Sequence, residues 1–175
     1  MDILAHGLWG GVSLGWKRKY GWAFLFGVLP DLLAFGPFFI FRLVSGTMQF
    51  GKPEIALIPQ VVFTAYNFSH SLFTAGLILL VIRFVISKEL FVAALAYPLH
   101  ILLDIPTHDR TFFPTPFLFP VSDFRIDGIS WGNAYFMIFN YAALLTVYFF
   151  YFRTKAKRKI LSKETAATSP TGRGP

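Results

Sequence analysis

Residues 128–152 (GISWGNAYFMIFNYAALLTVYFFYF) run for twenty-five positions without an Asp, Glu, Lys or Arg. A helix rises about 1.5 Å per residue, so a run this long crosses the roughly 30 Å hydrocarbon core of a bilayer. A cluster of basic residues follows at once: Arg153, Lys155, Lys157, Arg158 and Lys159. Apolar run followed by basic flank is the pattern of a membrane helix at its cytoplasmic end. The rest of the chain agrees. Only 14% of its 175 residues are charged and 55% are hydrophobic, whereas a soluble domain carries about 25% charged residues to cover its surface. Aromatic residues reach 19%, with 22 Phe. The composition therefore excludes an ordinary water-soluble globule.

The formal net charge of +7 is concentrated in one place. Residues 153–175 hold seven basic residues against the single acid Glu164, and the remainder is close to neutral. The basicity reads as a topology signal, and no nucleic-acid partner is expected, because no nucleic-acid motif accompanies it. The chain divides into a membrane-embedded helical domain, 1–152, and a basic, disordered cytoplasmic tail, 153–175. It has no cysteine, which removes disulfides, zinc ribbons and thiol nucleophiles. The start, Met1-Asp2-Ile3-Leu4-Ala5-His6, carries an acid where a signal peptide carries positive charge, so it is expected to stay as structure.

Further apolar segments predict an all-α, polytopic bundle of about five helices, some short or broken. Residues 21–44 are long enough to span, with Pro30-Asp31 in their middle; 69–86 give another span. Residues 3–16 and 90–103 are fourteen residues each, marginal for a full crossing. Gly7, Gly11 and Gly15 lie on one face of the first, a spacing that lets a second helix approach closely. With the tail placed inside, Lys17-Arg18-Lys19 and the Arg83–Lys88 turn also fall inside, and the loop 105–127 falls outside.

Ionisable residues within such helices are costly and mark function. His6 lies eleven residues before Lys17, Asp31 twelve after Lys19, His100 twelve after Lys88, Asp104 sixteen after it, and His70 thirteen before Arg83. All five sit roughly 17–26 Å above the inner face, in one layer. His100-Ile-Leu-Leu-Asp104 places two candidate ligands one turn apart on one helix face. His6, Asp31, His70, His100 and Asp104 are the candidate ligands of a divalent metal ion; three His with two Asp suit zinc, manganese or iron. Taken singly, each has a plainer reading: His100–Asp104 as a hydrogen bond, Pro30-Asp31 as a helix restart, and Ser69-His70-Ser71 as a cap.

These residues resemble a known group, the membrane-bound metal-dependent hydrolases, inner-membrane proteins distantly likened to zinc-dependent phospholipase C. The likeness covers roughly residues 1–125. It rests on His6 with Gly10 and Gly11, on Leu29-Pro30-Asp31, on Ser69-His70-Ser71 and on His100-Ile-Leu-Leu-Asp104-Ile-Pro-Thr107-His108. The resemblance implies the plasma (inner) membrane of a prokaryote, a metal site and a hydrolytic reaction. The family pattern Pro-Asp-x-Asp has Leu33 at its second Asp here, and His-Arg-x-x-Thr-His-Ser is replaced by Ala65-Tyr66-Asn67-Phe68-Ser69-His70-Ser71. Those departures leave a mononuclear or degenerate site open beside a two-metal centre.

The expected chemistry is attack of a metal-activated water on an ester or phosphoester near the outer face, with His108 or Asp109 as general acid or base. The outer loop interleaves Pro106, Pro114, Pro116 and Pro120 with Phe112, Phe113, Phe117, Phe119 and Phe124. It reads either as an interfacial roof admitting a lipid-like substrate among the membrane lipids, with Arg110 or Arg125 meeting a phosphate, or as an aromatic belt alone. A transporter or proton relay, and a non-catalytic scaffold with a degenerate metal site, are the alternatives from other classes.

Overall fold

The computed structural model describes residues 1–15, 19–49, 51 and 53–168, with side chains up to 157. Lys17 and Arg18 of the first basic cluster, with Trp16 before them, and 169–175 of the tail lie outside the described residues. The described chain is helical and contains no strand. Its helices are α1 (Ile3–Leu14), α2 (Tyr20–Val44), α3 (Gln60–Ser69), α4 (Leu72–Val81, continued by a π turn, Ile82–Ile86), α5 (Phe91–Ala94), α6 (Ala96–Asp104) and α7 (Ala134–Thr168). By length and composition α2 and the first part of α7, Ala134–Lys157, can each cross a membrane; α3 and α4 together make a third candidate, bent by 62° at their junction.

Three features depart from the sequence reading. First, α2 runs unbroken through Pro30 and Pro37. Each proline removes one backbone donor, yet a long apolar helix packed on its neighbours keeps its path. Second, α3 is a helix of its own upstream of the expected 69–86 span, where no helix is expected. It starts directly after Pro59, whose fixed φ suits a helix start. Third, α7 begins at Ala134 rather than 128 and continues to Thr168, so the backbone of 153–168 is helical where a disordered tail is expected. The segment is rich in Lys and Ala, good helix formers that extend a helix already nucleated upstream.

Glycine lets α1 and α2 touch backbone to backbone. A Cβ on Gly10 would lie 2.7 Å from the carbonyl oxygen of Ala23, and one on Gly27 would lie 2.7 Å from that of His6. Gly7 and Gly11 of the anticipated stripe also face α2, against Phe24 and Tyr20. Helix α7 lies along α1: Trp9 Nε1 donates to Asn140 Oδ1 at 2.9 Å, and the Tyr148 hydroxyl donates to the Leu8 carbonyl at 2.9 Å. Tyr20 also meets Tyr148 through their hydroxyls, and Lys19 pairs with Glu89 at 3.3 Å. The start of α2, the turn before α5 and the basic end of α7 therefore share one end of the bundle, as the charge pattern requires.

The bend between α3 and α4 is built from its own residues. His70 closes α3, and the Ser71 hydroxyl caps α4 by accepting from the amides of Phe73 (3.1 Å) and Thr74 (3.3 Å). The same hydroxyl donates to the Phe119 carbonyl at 2.5 Å, tying the outer loop to the bend. We expect Ser71→Ala to lower stability by about 1–2 kcal/mol, measured as the chemical or thermal unfolding midpoint in detergent. Loss of the cap and of the loop tether should fall on this one variant, whereas Thr146→Ala on the exposed face of α7 should change little.

Candidate metal centre

The centre forms where α2, the α3–α4 bend and α6 meet beneath the outer loop. Asp31 Oδ1, His70 Nε2, His100 Nε2 and an oxygen of Asp104 all lie within 4.8 Å of one another, and all four residues are buried. Their separations are His70–His100 3.1 Å, His100–Asp104 Oδ2 3.2 Å, His70–Asp104 Oδ2 3.5 Å, His70–Asp31 3.5 Å and His100–Asp31 3.8 Å. Four ligands at about 2.0–2.1 Å from a tetrahedral ion stand about 3.3 Å apart. The observed separations bracket that spacing.

The partners behind the rings turn their Nε2 atoms toward the group. His100 Nδ1 lies 2.7 Å from the Gly27 carbonyl, which only accepts, so Nδ1 donates there and Nε2 points inward. Ser69 Oγ lies 2.9 Å from His70 Nδ1 and 3.4 Å from the Tyr66 carbonyl, and this contact turns His70 Nε2 inward as well. The two Nε2 atoms stand 3.1 Å apart beside two carboxylates. Asp104 Oδ2 is buried and has no hydrogen-bond partner. Buried nitrogens and carboxylates that converge in this way are costly unless a proton or a metal cation joins them. The donor set therefore fits a metal ion.

The local sequence explains why these atoms converge. Gly27 brings α2 against α1, and its carbonyl is the one that orients His100. Asp31 follows one turn later, directly after Pro30. His70 occupies the non-helical corner between two helices, from which its ring reaches inward. His100 and Asp104 stand one turn apart on α6 and meet the group together.

His6 reaches the centre by a different contact. Its Nε2 donates to Asp104 Oδ1 at 2.8 Å, and its ring stacks on that of His100 at 3.6 Å, while Nδ1 is buried without a hydrogen-bond partner. It supports Asp104 from outside the four-atom group. The amino group of Met1 also sits on Asp104 Oδ1 at 2.6 Å, with Thr107 Oγ1 and His108 Nε2 each at 3.1 Å. Oδ1 is thus occupied by donors, and Oδ2 is left to face His70 and His100. No family model, curated protein or solved structure matches this chain.

The two residues expected at the mouth part company. His108 is buried next to the centre, with Nε2 3.3 Å from Asp104 Oδ1 and Nδ1 donating to the Phe113 carbonyl at 2.8 Å. Asp109 turns away: its Oδ1 accepts from the Thr111 amide (2.9 Å), the Thr111 hydroxyl (2.6 Å) and the Phe112 amide (3.1 Å), which closes a loop turn. The Arg110 backbone amide donates to Asp127 at 2.9 Å while its side chain is exposed, and the Arg125 guanidinium donates to Asn67 of α3 at 3.3 Å.

Phe113 holds the loop over the site. Its φ is +51°, an uncommon conformation for a large side chain, and its carbonyl accepts from both Tyr66 and His108. The ring packs flat on Phe63 at 4.7 Å and edge-on to Phe35 and Tyr66 at 4.9 Å. Sequence reasoning missed Gly27, Ser69, Tyr66 and the Met1 amine. The polar signal of a backbone carbonyl or an amine is not written in residue type, although Ser69 beside His70 was within reach as a ring-orienting partner.

Proposed function

We propose that this chain is an integral-membrane, metal-dependent hydrolase of the membrane-bound metal-dependent hydrolase type, its helices forming a polytopic bundle. The observation that carries the reading is the convergence of Asp31, His70, His100 and Asp104 within 4.8 Å of one another, two of them with ring nitrogens already oriented by partners behind them. Two imidazoles and two carboxylates suit a borderline divalent ion, with zinc first and manganese or iron behind it. Such an ion supplies Lewis acidity, polarising an ester or phosphoester oxygen and making water more acidic.

The protein's own groups would then do the rest. Gly27 and Ser69 hold the two rings, His6 and the Met1 amine hold Asp104, and His108 stands at the edge of the group with an Nε2 able to take or return a proton. The outer loop excludes water through Phe113. Below the layer, toward the end carrying Lys19, the core is Ala23, Phe26, Ala75, Ile82, Ala93 and their neighbours. That apolar floor supports a closed reaction site over a proton relay, which needs polar groups across the whole depth.

The test is metal analysis of the detergent-purified protein by inductively coupled plasma mass spectrometry. One equivalent of a transition metal is expected in the wild type, and below about one-tenth of it in His70→Ala and His100→Ala. Substoichiometric metal in the wild type, or full retention in both variants, overturns the reading.

A further inference from the structure

Arg42, near the end of α2, is buried with 8% of its surface exposed and forms no ion pair among the described residues. Its Nε and Nη2 both donate to one carbonyl, that of Thr47, at 3.0 and 2.6 Å, and its guanidinium lies over the Phe38 ring at 5.6 Å. A guanidinium offers five donors. Two are directed to a single neutral oxygen, and the charge has no anion. Buried charge ordinarily has a counter-ion.

Arg42 lines a cavity of about 490 Å³ together with Phe38, Phe41, Thr47, Met48 and Leu57. Phe38 and Phe41 also line a second cavity of about 330 Å³, which continues between α2 and α3 along Leu33, Ala34, Pro37, Val62 and Ala65. The first space is headed by a cation; the second is apolar throughout. From Arg42 to Ala34 is eight residues, about 12 Å along the helix. Because α2 is long and apolar enough to cross a membrane, its last turn falls at the boundary where lipid phosphates lie. Small residues, Ala34 and Ala65, leave the groove open where larger side chains would close it.

We propose that these two neighbouring cavities together bind one anionic phospholipid, its phosphate on Arg42 and an acyl chain in the groove between α2 and α3. The shape is that of an amphiphile, and charge complementarity selects the headgroup. The proposal does not depend on the metal reading.

Native mass spectrometry of the full chain, released from detergent with added phosphatidylglycerol or phosphatidylcholine, tests the proposal. One phosphatidylglycerol per chain should be retained, with about tenfold preference over phosphatidylcholine, and Arg42→Gln should reduce its affinity about tenfold. Ala65→Trp fills the groove without touching the guanidinium and should reduce binding as much. Inorganic phosphate in excess should displace nothing. Should Arg42→Gln fail to fold, Ala65→Trp decides alone, its helix content by circular dichroism serving as the check on its fold. Wild-type retention by the variants, equal binding of phosphatidylcholine, or displacement by inorganic phosphate each overturns the site.

Discussion

Gly27→Ala is expected to lower stability by about 2–3 kcal/mol and to weaken metal retention as well. The added methyl group would meet the backbone oxygen of His6 at 2.7 Å, and a backbone contact cannot swing aside as a side-chain tip can. Relief requires α1 to move off α2. That motion takes His6 away from Asp104 and shifts the Gly27 carbonyl that orients His100. Gly21→Ala on the same helix is the control, because a Cβ there meets nothing within 4 Å. It should change stability by no more than about 1 kcal/mol, and upward if intrinsic helix propensity governs. Thermal unfolding in one detergent reads both variants. Equal losses at Gly21 and Gly27 would remove the steric explanation.

Asp104→Asn has the second large effect, and it separates the metal from the fold. The carboxylate has two distinct sides: Oδ1 receives the Met1 amine and His6, and Oδ2 faces the Nε2 atoms of His70 and His100. An amide of the same shape can keep its oxygen toward the donors and turn its NH2 toward the two ring nitrogens. It then donates to them where the carboxylate could only accept or ligate, and the hydrogen bonding closes without a metal cation. We expect metal affinity to fall at least about a hundredfold, with the helix content unchanged and a stability loss of no more than about 3 kcal/mol. Asp104→Ala, by contrast, strands the buried amine and His6 and should cost about 3–5 kcal/mol. Isothermal titration with zinc and unfolding of the metal-free protein measure the two effects. An Asp104→Asn protein that holds zinc as tightly as the wild type would take Oδ2 out of the centre.

The long apolar runs made α2 and the membrane-length part of α7 legible, because an uncharged stretch of that length has few other uses. The layer of His6, Asp31, His70, His100 and Asp104 was legible for a related reason: ionisable groups are so scarce within these helices that their depths can be compared by counting. Counting along each helix gives a height but no azimuth. It therefore placed His6 in the same layer without distinguishing a group that faces Asp104 Oδ1 from one that faces the four-atom cluster. Helix α3 was hidden because Pro59 reads as a break in the apolar run, although proline suits a helix start. Asp109 was drawn toward the site by its place beside His108, and only the backbone turn at 109–112 shows its carboxylate held elsewhere. The lengthening of α7 to Thr168 turns on propagation from a helix already formed, which composition of the tail alone does not reveal.

The order of the four converging residues along the chain bears on how the protein is made. Asp31 comes early in the chain, on a helix whose neighbour α1 has only twelve residues, about 18 Å of helix and too short to span alone. His70 follows at the bend, and neither residue can complete the cluster. His100 and Asp104 arrive together at the end of α6. Until α6 is made, Asp31 and His70 are half of the set. Under the proposed function, a chain truncated before residue 100 should retain no metal, and metal analysis of that truncation checks it.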